Sequence, residues 1–300
     1  MENKLFRFAI VIPHYNSSQL LKRMINSIPE RDDIQIFVVD DCSNQHEKDK
    51  LRDICHKHLE IVYLKENGGA GFARNEGLKR VQSKWVTFVD SDDMFAENAF
   101  DVLDKYVDSE YDYICYCVKT IKAGNMEPLN RTLKSEKSVR SYLKNPNLKT
   151  ENLLKYMNNV CWNKMVSVDF LKQHDICFEC SKVNNDVLYA LQIGYYSSSW
   201  LVLSDELYVW IENVNSLTRK QRSIEKEFAF FLQAQKRNGF YQRIGLDRFP
   251  YYRSNFLYLL YYLRKRGVKD TMKIIKFYFN HKKDVIEARN CYIKFFEGKL

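Results

Sequence analysis

No glycine precedes Gly68, and only ten occur in the 300 residues. A dinucleotide-binding first turn needs G-x-G-x-x-G, and a P-loop needs G-x-x-x-x-G-K-[ST]; the sequence contains neither. The loop after the first strand therefore cannot be a glycine-rich phosphate cradle, which argues against an ordinary dehydrogenase or NTPase. Long apolar runs are scarce as well. The opening MENKLFRFAIVIPHYN has too short an apolar run for a signal peptide, and the longest later one, residues 256–263, spans far less than a bilayer. The expectation is a chain that crosses no membrane. The eight cysteines are scattered, as expected of reduced thiols in a cytoplasm. Cys115-Tyr-Cys117 and Cys177-Phe-Glu-Cys180 lack the second pair of a zinc site, so they read as small buried apolar side chains.

With 45% hydrophobic and 14% aromatic residues, the chain can bury a sizeable core in one large domain or two smaller ones. The charge of +9 is regional: residues 223–300 hold 17 Lys+Arg against 7 Asp+Glu, and residues 1–222 hold 30 against 31.

The first 120 residues alternate. Short β-branched and aromatic runs at 8–12 (FAIVI), 34–39 (IQIFVV), 61–64 (IVYL), 85–89 (WVTFV) and 111–118 (YDYICYCV) have the pattern of buried strands. Residues 19–28 and 70–81 place apolar side chains at helical spacing between them. Strand and helix in turn predict a mostly parallel sheet flanked by helices. Residues 119–152 are polar and aperiodic and read as a loop or irregular excursion. A helix is expected at 185–195, a strand at 199–211 (SWLVLSDELYVWI), and helix after helix from residue 223.

Parallel sheets bind ligands beyond the carboxyl ends of their strands. Each apolar run here ends in polar residues: Pro13-His14-Tyr15-Asn16, Asp40-Asp41-Cys42-Ser43, Asn67-Gly68-Gly69 and Asp90-Ser91-Asp92-Asp93. Three carboxylates in four positions repel unless a cation, hydrogen-bond donors or water relieve them. Asp90 and Asp92 project to one side of an extended backbone, and their hard oxygens suit Mg2+ or Mn2+ bridging to a substrate diphosphate. A plain helix-capping or solvated turn is the structural alternative.

Taken in order, these four segments, the third extended through Ala70-Gly71-Phe72-Ala73-Arg74-Asn75, resemble the motif set of family 2 glycosyltransferases. The similarity continues more weakly through Trp162-Asn163-Lys164, Asn184-Asn185-Asp186 and Asn215-Ser216-Leu217-Thr218. The resemblance implies a GT-A-like, Rossmann-related α/β fold and inverting transfer from a nucleotide-diphosphate sugar. It implies that Pro13, Tyr15 and Asn16 line the base and ribose pocket and that Asp41, rather than Asp40, accepts from the uracil imino group. Asn67 and Gly69 belong to the loop that approaches the ligand, and Arg74 reaches the diphosphate or braces the aspartates. Asp92 becomes the direct ligand of Mn2+ or Mg2+, with Asp90 and Ser91 near the ribose and the metal waters. Asp93 is left as helix cap or sugar contact.

An inverting transfer needs a base on the face opposite the leaving group. The family places it in a Glu-Asp pair on a later helix; here the pair reads Asn185-Asp186, which retains Asp186 as the expected base and puts acceptor contacts in doubt. Neither a Q-x-x-R-W element nor membrane spans accompany the motifs, which points to single addition rather than processive synthesis. The expected domains are a catalytic part at 1–222, divided at 118/119 into nucleotide-sugar and acceptor halves, and a basic, aromatic-rich helical part at 223–300. The expected partners are a nucleotide-sugar donor and a saccharide or lipid-linked saccharide acceptor; residues 223–300 either dock on an anionic membrane surface or pack on the catalytic part with their lysines in water, and nucleic acid is not among the partners. This would place the chain in the cytoplasm, peripherally on the inner face of the membrane, in surface polysaccharide synthesis. The alternatives are a non-catalytic nucleotide-sugar-binding relative and a nucleotidylyltransferase, although the latter normally carries a glycine-rich N-terminal signature.

Overall fold

The computed structural model describes residues 6–129, 132–181, 183–212, 223–246, 248 and 255–296. Two compact units result, Met1–Ser216 and Leu217–Leu300. The first is built on an eight-stranded sheet of order β3-β2-β1-β4-β7-β6-β8-β5. Its strands are β1 (Phe6–His14), β2 (Ile34–Asp40), β3 (Leu59–Tyr63), β4 (Ser83–Phe88), β5 (Met94–Phe95), β6 (Tyr113–Lys122), β7 (Lys164–Ser167) and β8 (Trp200–Glu212). Around it lie α1 (Ser18–Asn26), α2 (Gln45–Arg52), α3 (Ala70–Leu78), α4 (Ala99–Leu103), α5 (Lys134–Lys144), α6 (Leu148–Met157), α7 (Val168–Gln173) and α8 (Val187–Tyr196).

β1 pairs in parallel with β2 and β4, and β2 with β3. β7 then runs antiparallel between β4 and β6, and β8 returns parallel to β6. The sheet is thus mostly parallel, and the carboxyl ends of β1, β2, β4 and β6 share an edge with the start of β7. β2 is buried along its whole length, and β1 at every position except Arg7 and Pro13. Strands covered on both faces need the near-continuous apolar runs seen in the sequence.

The helices dock by two different means. α1 turns Leu21, Met24 and Ile25 into the core, each such side chain contributing about 1.5–3 kcal/mol of apolar burial. On α3 the buried positions are instead Gly71, Ala73, Arg74 and Gly77. A Cβ at Gly77 would collide with Val11 Cγ1, so the missing side chain lets this helix lie directly on β1. The apolar spacing at 70–81 therefore identified the helix but not the face it buries.

Residues 119–152 are not a loop. β6 runs on to Lys122, and α5 and much of α6 follow. The N-terminus of α6 carries a capping box in which the Asn147 side chain accepts from Lys149 and Thr150 amides and the Thr150 hydroxyl accepts from Asn147 N–H. α5 sets Val139 in the core and leaves its lysines in water; such short stripes among many charges hide helical periodicity.

β8 meets β6 with two register shifts, so Tyr116, Cys117 and Val118 pair with Leu203, Glu206 and Tyr208. Bulges of this kind re-aim side chains, and here Tyr208 comes to the end of β4. In the second unit, α9 (Ile224–Arg243), α10 (Asn255–Asn280) and α11 (Lys282–Phe296) form a helical cluster, with α10 broken at Gly267, whose φ of 77° interrupts the helix. Phe228, Phe231 and Val285 form its buried centre.

Candidate active site

The end of β1 is fixed by a buried pair. His14 and Asp40 are register partners on β1 and β2, and His14 Nδ1 lies 2.9 Å from Asp40 Oδ1. Because Ser17 N–H donates to His14 Nε2 at 3.1 Å, that nitrogen is the acceptor and Nδ1 carries the proton. Burial raises the Asp40 pKa, but hydrogen bonds from His14 and Ser43 outweigh it and hold the carboxyl below its ordinary range. The loop that follows is thereby shaped: Asn16 adopts a left-handed φ of 48°, its N–H donates to Ser43 Oγ, and its Oδ1 accepts from Asn44 N and Nδ2. Pro13 is half-buried in β1, and Tyr15 stands 53% exposed at the rim.

Asp41 holds the next loop. Its Oδ1 and Oδ2 accept from the amides of Gly68 and Gly69 at 2.7 and 2.8 Å, and Asn67 Nδ2 donates to the Asp41 carbonyl. Gly69, at φ 84°, starts α3, a conformation that favours glycine.

After β4 the acidic turn divides its side chains. Asp90 and Asp92 are half-buried, while Asp93 is buried. Asp93, expected as helix cap or sugar contact, turns inward: Oδ2 accepts from the Tyr208 hydroxyl at 2.7 Å and Oδ1 from Ile211 N–H at 2.8 Å. The cap of α4 is at Asn98. The same Tyr208 oxygen accepts from Asp90 N–H, so β8 locks the turn from beneath. Arg23 donates to the Asp92 carbonyl, and Ser91 Oγ lies 3.3 Å from Ser17 Oγ.

Arg74 answers part of the like-charge problem. Nearly fully buried, it donates from Nη2 to Asp90 Oδ1 at 2.6 Å and from Nη1 to Asn185 Oδ1 at 2.9 Å. Its guanidinium also lies over the Phe178 ring, 5.4 Å from the centroid. α3 also grips the segment between α7 and α8 that carries Phe178 and Asn185: Asn75 Nδ2 donates to Phe178 O at 2.9 Å, and Asn75 Oδ1 accepts from Phe178 N–H at 2.8 Å. A Cβ at Gly71 would collide with the Glu179 carbonyl oxygen.

The loop ends in Asp186, the N-cap of α8, whose side chain caps no backbone amide. Desolvation pushes its pKa up to about 6, against the opposing charge of Arg74 and with a smaller contribution from Asp90. Asp90, Arg74, Asn185 and Asp186 thus form one electrostatic group drawn from β4, α3 and the start of α8. No local pattern points to Tyr208, which lies over a hundred residues from its partners. Lys164 likewise goes unpredicted as a brace: buried, it donates to Asn158 O, Val160 O and Asn163 Oδ1 and fixes the loop before β7. Asn215-Ser216-Leu217-Thr218 lie outside the described residues.

One carboxylate oxygen from each of Asp90, Asp92 and Asp93 falls within 4.8 Å of the others. Burial and then the charges of Asp92 and Asp90 push the Asp93 pKa well above the ordinary range, the direction expected of a carboxyl enclosed beside like charges. A hard divalent cation fits this donor set. Within that set both Asp93 oxygens are bound to Tyr208 and Ile211, and Asp90 and Asp92 stand half-buried beside Asp93.

Residues 9–174 match the profile of glycosyl transferase family 2, and the chain belongs to this family. It is 25% identical over 213 residues to the Staphylococcus aureus poly(ribitol-phosphate) beta-N-acetylglucosaminyltransferase TarS, a match covering 69% of this chain and 35% of TarS. It is 28% identical over 138 residues to the Bacillus subtilis putative teichuronic acid biosynthesis glycosyltransferase TuaG, covering 44% of this chain and 54% of that one. In both comparisons the match spans little more than half of the relative, or less. The crystal structure of S. aureus TarS shares the fold with a TM-score of 0.63 at 19% identity, over 96% of this chain and 49% of that chain. That of TarS 1-349 in complex with UDP-GlcNAc gives 0.58 at 19% identity, over 96% and 81%.

Proposed function

We propose that this chain transfers a sugar from a UDP-sugar to an acceptor hydroxyl with inversion, in the synthesis of a bacterial surface polysaccharide. The observation that carries the reading is the shared electrostatic group of Asp90, Arg74, Asn185 and Asp186, which joins the acidic turn to a carboxyl whose pKa is pushed up to about 6. The relatives' names, which include teichoic and teichuronic acid enzymes, support a polyol-phosphate or uronic acid polymer as the acceptor class.

In this reading, the loops carrying Pro13, Tyr15, Asn16, Asp41, Asn67 and Gly69 bind the nucleoside, with the exposed Tyr15 ring against the base. Asp92 and Asp90 would hold Mn2+ or Mg2+, with Ser91 beside them; a bound cation would supply charge neutralisation for the departing diphosphate. Asp186 removes the proton of the acceptor hydroxyl as that oxygen attacks the anomeric carbon from the face opposite the diphosphate. A carboxyl raised to about 6 is a stronger base than an ordinary aspartate and is still mostly ionised at neutral pH. Arg74 keeps the two carboxylates apart in role by pairing with Asp90.

The test is release of UDP from UDP-GlcNAc with Mn2+, with and without short poly(ribitol-phosphate). Acceptor-stimulated release that disappears with chelator supports the proposal. Donor binding without any turnover would favour a non-catalytic relative.

A further inference from the structure

The second unit presents an exposed apolar face on α10. Beyond the break at Gly267, α10 places Val268, Met272, Ile275 and Phe279 at spacings of four, three and four residues, one face of a helix. Val268, Met272 and Phe279 are 70%, 58% and 68% exposed. Lys269, Lys273 and Lys276, each one position further along and also exposed, form a second stripe beside the first. Ile275 and Phe279 also border an apolar groove of about 280 Å³ lined by Phe228, Phe231, Tyr258 and Tyr278. Apolar side chains this exposed and contiguous, with a charged rim, mark an interaction surface.

We infer that this face of α10 docks on an anionic bilayer, with Val268, Met272 and Phe279 entering the headgroup boundary and Lys269 and Lys276 meeting lipid phosphates, while Lys273 pairs with Asp270 at 3.0 Å. Charge selects this occupant. Residues 255–296 carry ten Lys+Arg against three Asp+Glu, so a second copy laid on the same face would set lysine against lysine. A nucleic acid would satisfy the lysines and leave the apolar stripe in water. An anionic membrane satisfies both stripes, as amphipathic interfacial helices do.

The experiment is flotation of the full chain with phosphatidylcholine vesicles, with and without phosphatidylglycerol. Wild type should float only with the anionic vesicles and be released by salt. The variant K269Q/K276Q should partition about thirtyfold more weakly, at about 1 kcal/mol per lysine near an anionic surface and 1.4 kcal/mol per decade. The variant M272S/F279S should lose about tenfold or more through its apolar contacts. Both variants alter exposed positions and should keep the wild-type melting temperature and UDP release. Wild type that stays at the bottom with anionic vesicles overturns the inference, as does equal recovery with neutral vesicles or variants that float like wild type. A dimer that M272S/F279S dissociates, without vesicle binding, would instead make the face a self-association surface.

Discussion

Arg74 Nη2 lies 2.6 Å from Asp90 Oδ1 while Nη1 lies 2.9 Å from Asn185 Oδ1, so a single buried guanidinium ties the acidic turn after β4 to the loop that delivers Asp186. The guanidinium presents its donors in a rigid planar fork that fixes the two partners' directions, whereas an ammonium is a compact charge on a flexible stem. The relationship also gives the departure from the family's Glu-Asp pair a physical reading. With Asn at 185, Arg74 faces one carboxylate and one amide oxygen, and more of its charge is available to Asp90 and Asp186.

Arg74→Lys should therefore retain the fold but lose the double link. Removing one partner of a buried pair costs about 3–5 kcal/mol, but Asp90 is 35% exposed at its side chain and water offsets part of that, so about 1–3 kcal/mol is expected. Denaturant titration measures the loss, and UDP release should fall at least about tenfold with the link. A lysine variant with wild-type turnover would show that the two loops need no common brace.

Asp186→Asn should reduce kcat by about two to four decades, the range for loss of a positioned base, with donor binding by thermal shift unchanged. The pH profile carries a sign. The base is competent only when ionised, so kcat/KM of wild type should rise through about pH 6 and level above it. Stability should move the other way. A carboxyl with a raised folded pKa favours the folded state most below its ordinary value of about 4, and that stability is lost as pH rises through about 6. Asp186→Asn should flatten both dependences.

How far the sequence could be read follows from where each contact comes from. β1, β2 and β4 are written in local apolar runs, and the convergence of His14, Asp40 and Asp90 at one rim follows from parallel strands. α5 and α6 are present but short and heavily charged, so residues 119–152 look like a loop although Ile121 and Val139 are buried. The seating of α3 depends on what Gly71 and Gly77 lack against chain segments far away in sequence. The Tyr208 contact with Asp93 depends on register shifts between β6 and β8 that no local pattern encodes.

Gly71→Ala separates helix seating from loop position. Its Cβ would meet the Glu179 carbonyl and Asn185 Cβ, whereas one at Gly77 would meet Val11 and Val39. Each should cost about 1–3 kcal/mol by overpacking. Gly71→Ala should also lower kcat, because the loop that must shift carries Asn185 and leads into Asp186, while Gly77→Ala should leave turnover nearly intact in the folded fraction. Equal catalytic loss in the two variants would mean that the loop follows the helix as a rigid body.

Tyr208→Phe removes the hydroxyl that donates to Asp93 and accepts from Asp90 N–H, at a cost of about 1–3 kcal/mol for the buried groups left unpaired. The cation requirement tests the turn more directly. Anything that binds only the folded state stabilises it by RT ln(1 + [L]/Kd), about 2.7 kcal/mol at a hundred times Kd. Mn2+ or Mg2+ should therefore raise the melting temperature of wild type in the presence of UDP, and EDTA should reverse the rise. Asp92→Ala should lose most of that shift, because Asp93 already spends both oxygens on Tyr208 and Ile211 and cannot replace the missing ligand. Tyr208→Phe should keep a cation-induced shift from a lower starting temperature, since Asp90 and Asp92 remain. If Asp92→Ala responds to the cation as wild type does while Asp93→Ala does not, the assignment of ligand and support within the turn must be exchanged.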